Sequence, residues 1–238
     1  MTRKQYFLSG LKDGMPICFG YFAVSFAFGI QAAGIGLSVF EASVLSALNV
    51  TSAGQFAALA IIASGASLIE LAFTQLIINL RYFLMSCALS QKLSPSLPLG
   101  HRLGIAYGMT DEIFAVSVSQ REPLSPFYSY GLIAVAIPGW VLGTALGAAA
   151  GNILPEAIKA ALGIALYGMF IAVVVPPATQ DRGALIAALG AAFLSCCLTY
   201  IPVFAGISQG FAVVICACAA ASVAAWLHPL PEDEEEKA

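Results

Sequence analysis

The chain has 238 residues, 60% of them apolar and 10% charged, with a formal net charge of −3 and a mean hydropathy of +0.89. A soluble domain carries roughly 25% charged residues, so this chain lacks the charge to cover a water-facing surface, and it lacks the basic, aromatic-interleaved face of a nucleic-acid binder. Lipid as the solvent resolves the imbalance: residues 14–40, 42–69, 123–155, 160–180 and 183–231 contain no Asp, Glu, Lys or Arg, and a spanning helix needs about 20 apolar residues.

Backbone groups in hydrocarbon must pair within their own segment, so helices are expected, not barrel strands. Spans are predicted over residues 16–33, 42–64, 68–90, 103–120, 127–149, 158–175, 183–201 and 203–226. The basic start (Arg3, Lys4) precedes an apolar run too long for a signal-peptide core, which reads as an uncleaved first span with Asp13 as its N-cap before Pro16. The fourth stretch carries Asp111 and Glu112 in its middle and reads as a span or a re-entrant segment, giving seven or eight crossings. Short connections favour one transmembrane domain over residues 1–230, followed by an acidic tail, 231–238. Pro16, Pro138, Pro155, Pro176, Pro177 and Pro202 are expected at span boundaries, and Trp140 and Trp226 at the membrane interface. Outside the spans, Arg3, Lys4, Lys12, Arg121, Arg182 and Lys237 oppose Lys92, Arg102 and Lys159, which predicts a cytoplasmic N-terminus.

The two halves look alike. Gly29, Glu41 and Gly54 recur as Gly143, Glu156 and Gly168, spaced 12 and 13, then 13 and 12. Repeats over residues 10–120 and 127–228 are therefore expected, as in many transporters.

Gly143, Gly147 and Gly151 share one helix face, and Gly10/Gly14 and Gly104/Gly108 have the same spacing, which lets helix backbones touch. The string Asn49-Val50-Thr51-Ser52-Ala53-Gly54-Gln55 puts polar groups and a glycine near the middle of a span. It reads either as a break whose half-helix N-terminus can hold a carboxylate, or as an intact helix with Thr51 and Ser52 bonded back to their own carbonyls. Glu70, Thr74 and Arg81 lie on one stripe of the third span, Gln75 and Asn79 on another. Glu70 reads as an intramembrane acid or a wetted span-end carboxylate. An ionised side chain deep in lipid costs at least ~2.5–3.5 kcal/mol, so Arg81 requires a partner, a cavity or a headgroup. Asp111 and Glu112 are the candidate proton carriers, one of them able to pair with Arg81; the other reading places both at the wet membrane surface.

The six cysteines occur without a CxxC pattern, and with only two histidines no metal site is expected. Neither the ATPase pattern GxxxxGK[ST] nor the metalloprotease pattern HExxH occurs. No cofactor and no enzymatic activity are expected.

The strings Gly10-Leu11-Lys12-Asp13-Gly14-Met15-Pro16, Thr51-Ser52-Ala53-Gly54-Gln55-Phe56-Ala57, Ile78-Asn79-Leu80-Arg81-Tyr82 and Thr110-Asp111-Glu112-Ile113-Phe114, in this order, resemble the AzlC family, the large subunit of branched-chain amino-acid exporters. The resemblance implies export of branched-chain amino acids, or methionine, across a bacterial plasma membrane. It also implies a small hydrophobic AzlD-type partner and a proton-driven carrier mechanism. On that reading Thr51, Ser52, Gly54 and Gln55, helped by Asn79, hold the substrate carboxylate. Asp111 or Glu112 couples protons with Arg81 as counter-charge, and Phe26, Phe56 and Met169 form the apolar wall. The alternatives are a channel or carrier for another small solute, or a non-transporting assembly subunit.

Overall fold

The computed structural model describes residues 2–120, 123–151, 153–155, 157, 171, 174–176, 178–204 and 206–228. Among them there are helices and turns but no strand: α1 (Arg3–Gly34), α2 (Val39–Leu48), α3 (Ser52–Ala63), α4 (Leu68–Lys92), α5 (Leu99–Tyr107), α6 (Asp111–Val118), α7 (Pro126–Gly151), α8 (Arg182–Tyr200) and α9 (Gln209–Leu227). Five described helices are long and apolar enough to cross a membrane: α1, α4, α7, α8 and α9. Most of the expected span 158–175 lies outside the described residues, as do Glu156, Gly168, Met169, Pro177, Arg121, Lys159 and the acidic tail. Two expected spans are each interrupted: 42–64 is α2 and α3, and 103–120 is α5 and α6.

The first helix starts earlier than expected. A capping box between Thr2 and Gln5 satisfies the amides of its first turn and sets its start at Arg3. Asp13 is therefore not an N-cap; it sits within α1 and accepts a hydrogen bond from the Tyr128 hydroxyl at 2.8 Å. Pro16 and Pro138 lie inside α1 and α7, not at boundaries. Pro202 does mark one, opening a short 3-10 turn before α9. Gly36 and Gly65, with φ of 92° and 68°, make the left-handed turns that stop α1 and α3.

The chain divides into two compact units, Met1–Leu59 with Asn79–Leu166, and Ala60–Ile78 with Tyr167–Ala238. The divisions fall inside α3 and α4 and cut across the expected repeats.

The first unit is built on a seam between α1 and α7. Gly131 meets Gly10, Gly139 meets Cys18, Gly143 meets Phe22, Gly147 meets Phe26 and Gly151 meets Ile30. Every pair is offset by 121 residues, so the two helices run parallel, in register, along a four-residue ridge. Lipid tails are as apolar as the helices, so contact between backbones, not escape from water, holds such a seam together. A Cβ at Gly10, Gly29, Gly143 or Gly147 would strike a carbonyl or hydroxyl oxygen of the facing helix. Beside the seam, Ile17, Tyr21, Leu89, Ile105, Ile113, Leu132 and Trp140 form the larger core cluster, and Phe28, Ala32, Ala42, Leu59 and Ala148 a second.

In the second unit α8 and α9 are antiparallel neighbours: Gly183 approaches His228, and Gly190 approaches Ala220. Cys216, Ala220 and Ala224 form the buried four-residue stripe of α9.

Candidate functional site

The two interruptions in the first unit share a construction. Asn49 ends α2, and the Thr51 carbonyl accepts the Gln55 N–H at 2.8 Å, so α3 starts there. The Thr51 hydroxyl donates to Asn49 Oδ1 at 2.9 Å instead of bonding back along a helix. Gly108 ends α5, and Thr110 caps α6 by accepting the Ile113 N–H at 3.3 Å. Both restarted helices begin at one pocket, lined by Tyr21, Val50, Ser52, Tyr82, Thr110, Asp111, Glu112 and Trp140. The space open to the centre of a water-sized sphere is about 10 Å³, which is room for one water. A larger groove, about 420 Å³ by the same measure, lies along α1 and α7, but Phe19, Phe22, Pro138 and Leu142 make its wall apolar, with nothing to orient a charged solute.

Adjacent helix residues point about 100° apart, so Asp111 and Glu112 take different partners. Arg81 Nη1 lies 3.0 Å from Asp111 Oδ2, with the two side chains 37% and 38% exposed. Arg81 Nη2 donates to the Tyr82 hydroxyl at 3.1 Å, and the guanidinium carbon sits 4.9 Å from that ring's centre. Glu112 turns to α1: its Oε2 is 2.5 Å from Tyr21 Oη, which is 2.6 Å from Thr110 Oγ1. Glu112 is exposed on one side, whereas Tyr21 and Thr110 are buried.

Of the residues singled out from the sequence, Ser52, Asp111 and Glu112 line the pocket, and Arg81 reaches it through Asp111. Thr51 stands at the break itself, its hydroxyl engaged with Asn49. Gly54, in the first turn of α3, and Asn79, on α4, are not among the lining residues. Gln55 is fully buried and faces away: its Nε2 donates to Ser46 Oγ at 2.9 Å, its Oε1 accepts from Trp140 Nε1 at 2.9 Å, and Ser46 is 2.7 Å from Thr144 Oγ1. Trp140 is thus a core residue, 2% exposed, and not an interfacial one; its indole N–H finds its partner inside the protein. Phe26 packs on Gly147, and Phe56 edge-on against Phe28, so neither forms the pocket wall. The wall consists of Tyr21, Val50, Tyr82 and Trp140. Polar-tipped aromatics in mid-span were the signal that could have found three of these four.

In the second unit, Glu70 is buried, not wetted: it is 5% exposed and accepts from the Ser208 hydroxyl at 2.6 Å and the Gly210 N–H at 2.8 Å. It thereby caps α9 from α4. Thr74, one turn further on, is fully buried with its hydroxyl unpaired among the described residues. Residues Gly206, Ser208 and Gly210 also fit GxSxG, a hydrolase pattern. Neither histidine serves Ser208: His101 pairs with Tyr130 at 2.8 Å, and His228 ends the opposite end of α9. A Cβ on Gly210 would collide with Glu70 and Thr74, so helix capping accounts for the pattern.

These features define an integral membrane protein of helices, two of them interrupted around a polar pocket. The AzlC protein family matches residues 16–154, a span that holds both breaks, the ion pair and most of the α1–α7 seam, and the chain belongs to that family. It is 30% identical to the Inner membrane protein YgaZ of Escherichia coli over 235 residues, 95% of this chain and 94% of that one. It is 34% identical to an uncharacterized membrane protein of Archaeoglobus fulgidus over 178 residues, 74% of this chain and 78% of that one. No solved structure matches. Family and relatives together point to a role connected with transport across a membrane.

Proposed function

We propose that the chain is the large subunit of a secondary carrier, not an enzyme, that exports branched-chain amino acids, or methionine, across a bacterial plasma membrane in exchange for protons. The observation that carries this reading is that α3 and α6, both restarted inside interrupted helices, begin at the same polar pocket. Helix N-termini carry partial positive charge and suit the substrate carboxylate. The start of α3, from Thr51 to Gln55, presents Ser52 to it; Asp111 or Glu112 couples the proton, with Arg81 as counter-charge. Val50, Tyr21 and Trp140 offer the apolar surface for a branched side chain. Because the pocket has room for only one water, an amino acid enters only when the half-helices part, as an alternating-access cycle requires.

The parallel α1–α7 seam favours repeats related by an axis along the membrane normal. Parallel first helices require an even number of crossings per repeat, which favours eight spans over seven. The Lys and Arg balance outside the spans favours a cytoplasmic N-terminus, and a small AzlD-type membrane subunit completes the carrier.

Cells fed a valine- or isoleucine-containing dipeptide test the reading. Deleting this gene, with the partner intact, is expected to raise internal valine or isoleucine and slow its efflux. Unchanged efflux sinks it.

A further inference from the structure

We propose that Glu112, and not Asp111, takes up and releases the coupling proton, and that Tyr21 passes its protonation state to the cap of α6. The assignment rests on the carrier reading and separates the roles of two adjacent acids in one site.

Asp111 already faces a cation at 3.0 Å. Protonating it would remove the anion that faces Arg81 among the described residues. Glu112 has no cation within 4 Å among the described residues. The groups around it are Tyr21 on α1, Ser52 at the start of α3, Tyr82 on α4, Thr110 and Asp111 at the start of α6, and Trp140 on α7, whose N–H is committed to Gln55. Its accessible side lines the pocket; its other side meets a packed hydroxyl pair.

Tyr21 has one proton and two close neighbours, Glu112 Oε2 at 2.5 Å and Thr110 Oγ1 at 2.6 Å. With Glu112 ionised, Tyr21 donates to the carboxylate and accepts from the Thr110 hydroxyl. With Glu112 protonated, the acid donates to Tyr21, and Tyr21 donates to Thr110 Oγ1. Both arrangements fit the same heavy-atom positions. They differ at Thr110, whose oxygen also caps Ile113 N–H at 3.3 Å. Proton arrival therefore reverses a chain of hydrogen bonds that ends on the break between α5 and α6, the element that must move. One proton binds Glu112 from one aqueous phase and leaves to the other; Tyr21 and Thr110 exchange donor and acceptor roles without net gain or loss.

The test uses the chain with its small partner in liposomes and two readouts: exchange of labelled for unlabelled leucine without a gradient, and leucine accumulation driven by an imposed pH difference. Glu112→Gln is expected to keep exchange, lose accumulation and make exchange independent of pH. Tyr21→Phe is expected to keep accumulation but shift its pH midpoint. Asp111→Asn is expected to lose both readouts. Accumulation by Glu112→Gln at the wild-type level overturns the assignment, and so does loss of exchange in that variant, since Glu112 would then be a substrate ligand. Should Glu112→Gln not fold, Glu112→Asp and Tyr21→Phe decide: unchanged pH profiles in both overturn the proposal. Wild-type liposomes that exchange no neutral amino acid overturn the carrier reading itself, whatever Glu112 does.

Discussion

Trp140 on α7 and Gln55 on α3 are joined by an indole N–H···Oε1 bond of 2.9 Å, at positions 2% and 0% exposed. Gln55 passes the connection on to Ser46 of α2, and Ser46 to Thr144 of α7. Both halves of one interrupted helix are thus tied to the seam helix by side chains that have no alternative partner in water. Gln55→Leu leaves the Trp140 N–H and one Ser46 contact unmet, at about 1–3 kcal/mol for each stranded group. Trp140→Phe strands Gln55 Oε1. Unfolding in detergent micelles should show both losses, and the double variant should lose less than their sum.

The seam makes a sharper demand on volume. Gly147→Leu and Gly143→Val place carbon where Phe26 and Phe22 carbonyl oxygens lie, whereas a Cβ at Gly20 meets nothing within 4 Å. Size-exclusion profiles of purified protein should show loss of the folded peak for the first two. Gly20→Ala should keep it, with helix propensity adding up to about 1 kcal/mol.

For Arg81 and Asp111, stability and function should come apart. Each side chain is more than a third exposed, and an ion pair of that kind contributes roughly 0–1 kcal/mol. Arg81→Gln should therefore leave the unfolding midpoint nearly unchanged while abolishing leucine exchange. A large stability loss would show the pair to be structural glue.

Glu70 answers to a different measurement. Its removal exposes the first turn of α9, so Glu70→Ala should cost about 1–3 kcal/mol and speed hydrogen exchange at the Gly210 amide, with the rest of α9 still protected. Glu70→Gln keeps an acceptor oxygen and should recover much of that protection. Gly210→Ala should mimic Glu70→Ala, because the added methyl displaces the carboxylate.

At the start of α2 the effect depends on pH. Glu41 accepts from the Ser38 N–H at 2.8 Å and the Ser38 hydroxyl at 2.7 Å, and these donors, the backbone one first, hold its carboxyl below the usual carboxylate range. A lowered folded-state value means the cap is fully formed above the ordinary carboxylate pKa and is lost as pH falls through the folded one. Exchange at the Ser38 amide, corrected for intrinsic rate, should accelerate over that acid window in the wild type and be pH-independent in Glu41→Gln.

Much of this was legible in the residues. Charge-free stretches gave the membrane class, because lipid admits only segments that satisfy their own backbone. Gly143, Gly147 and Gly151 announced a close seam by their spacing alone, and the Asn49–Gln55 string offered a break because hydroxyl and amide side chains can replace lost helix bonds. Pro16 and Pro138 misled, since a proline inside a membrane helix is tolerated where neighbouring groups re-satisfy the backbone. Trp140 misled for a related reason: amphipathic rings suit interfaces, but one whose N–H finds Gln55 is at home in the core.

What the sequence determined by itself is the set of local facts: hydrophobic length, glycine spacing and cap residues act within a few residues of one another. Only the tertiary structure decided which acid meets Arg81, that Tyr21 reaches Glu112 and Thr110 from about 90 residues away, and that Glu70 caps a helix 138 residues later. Those pairings depend on the packing and rotation of whole helices, which no local pattern encodes.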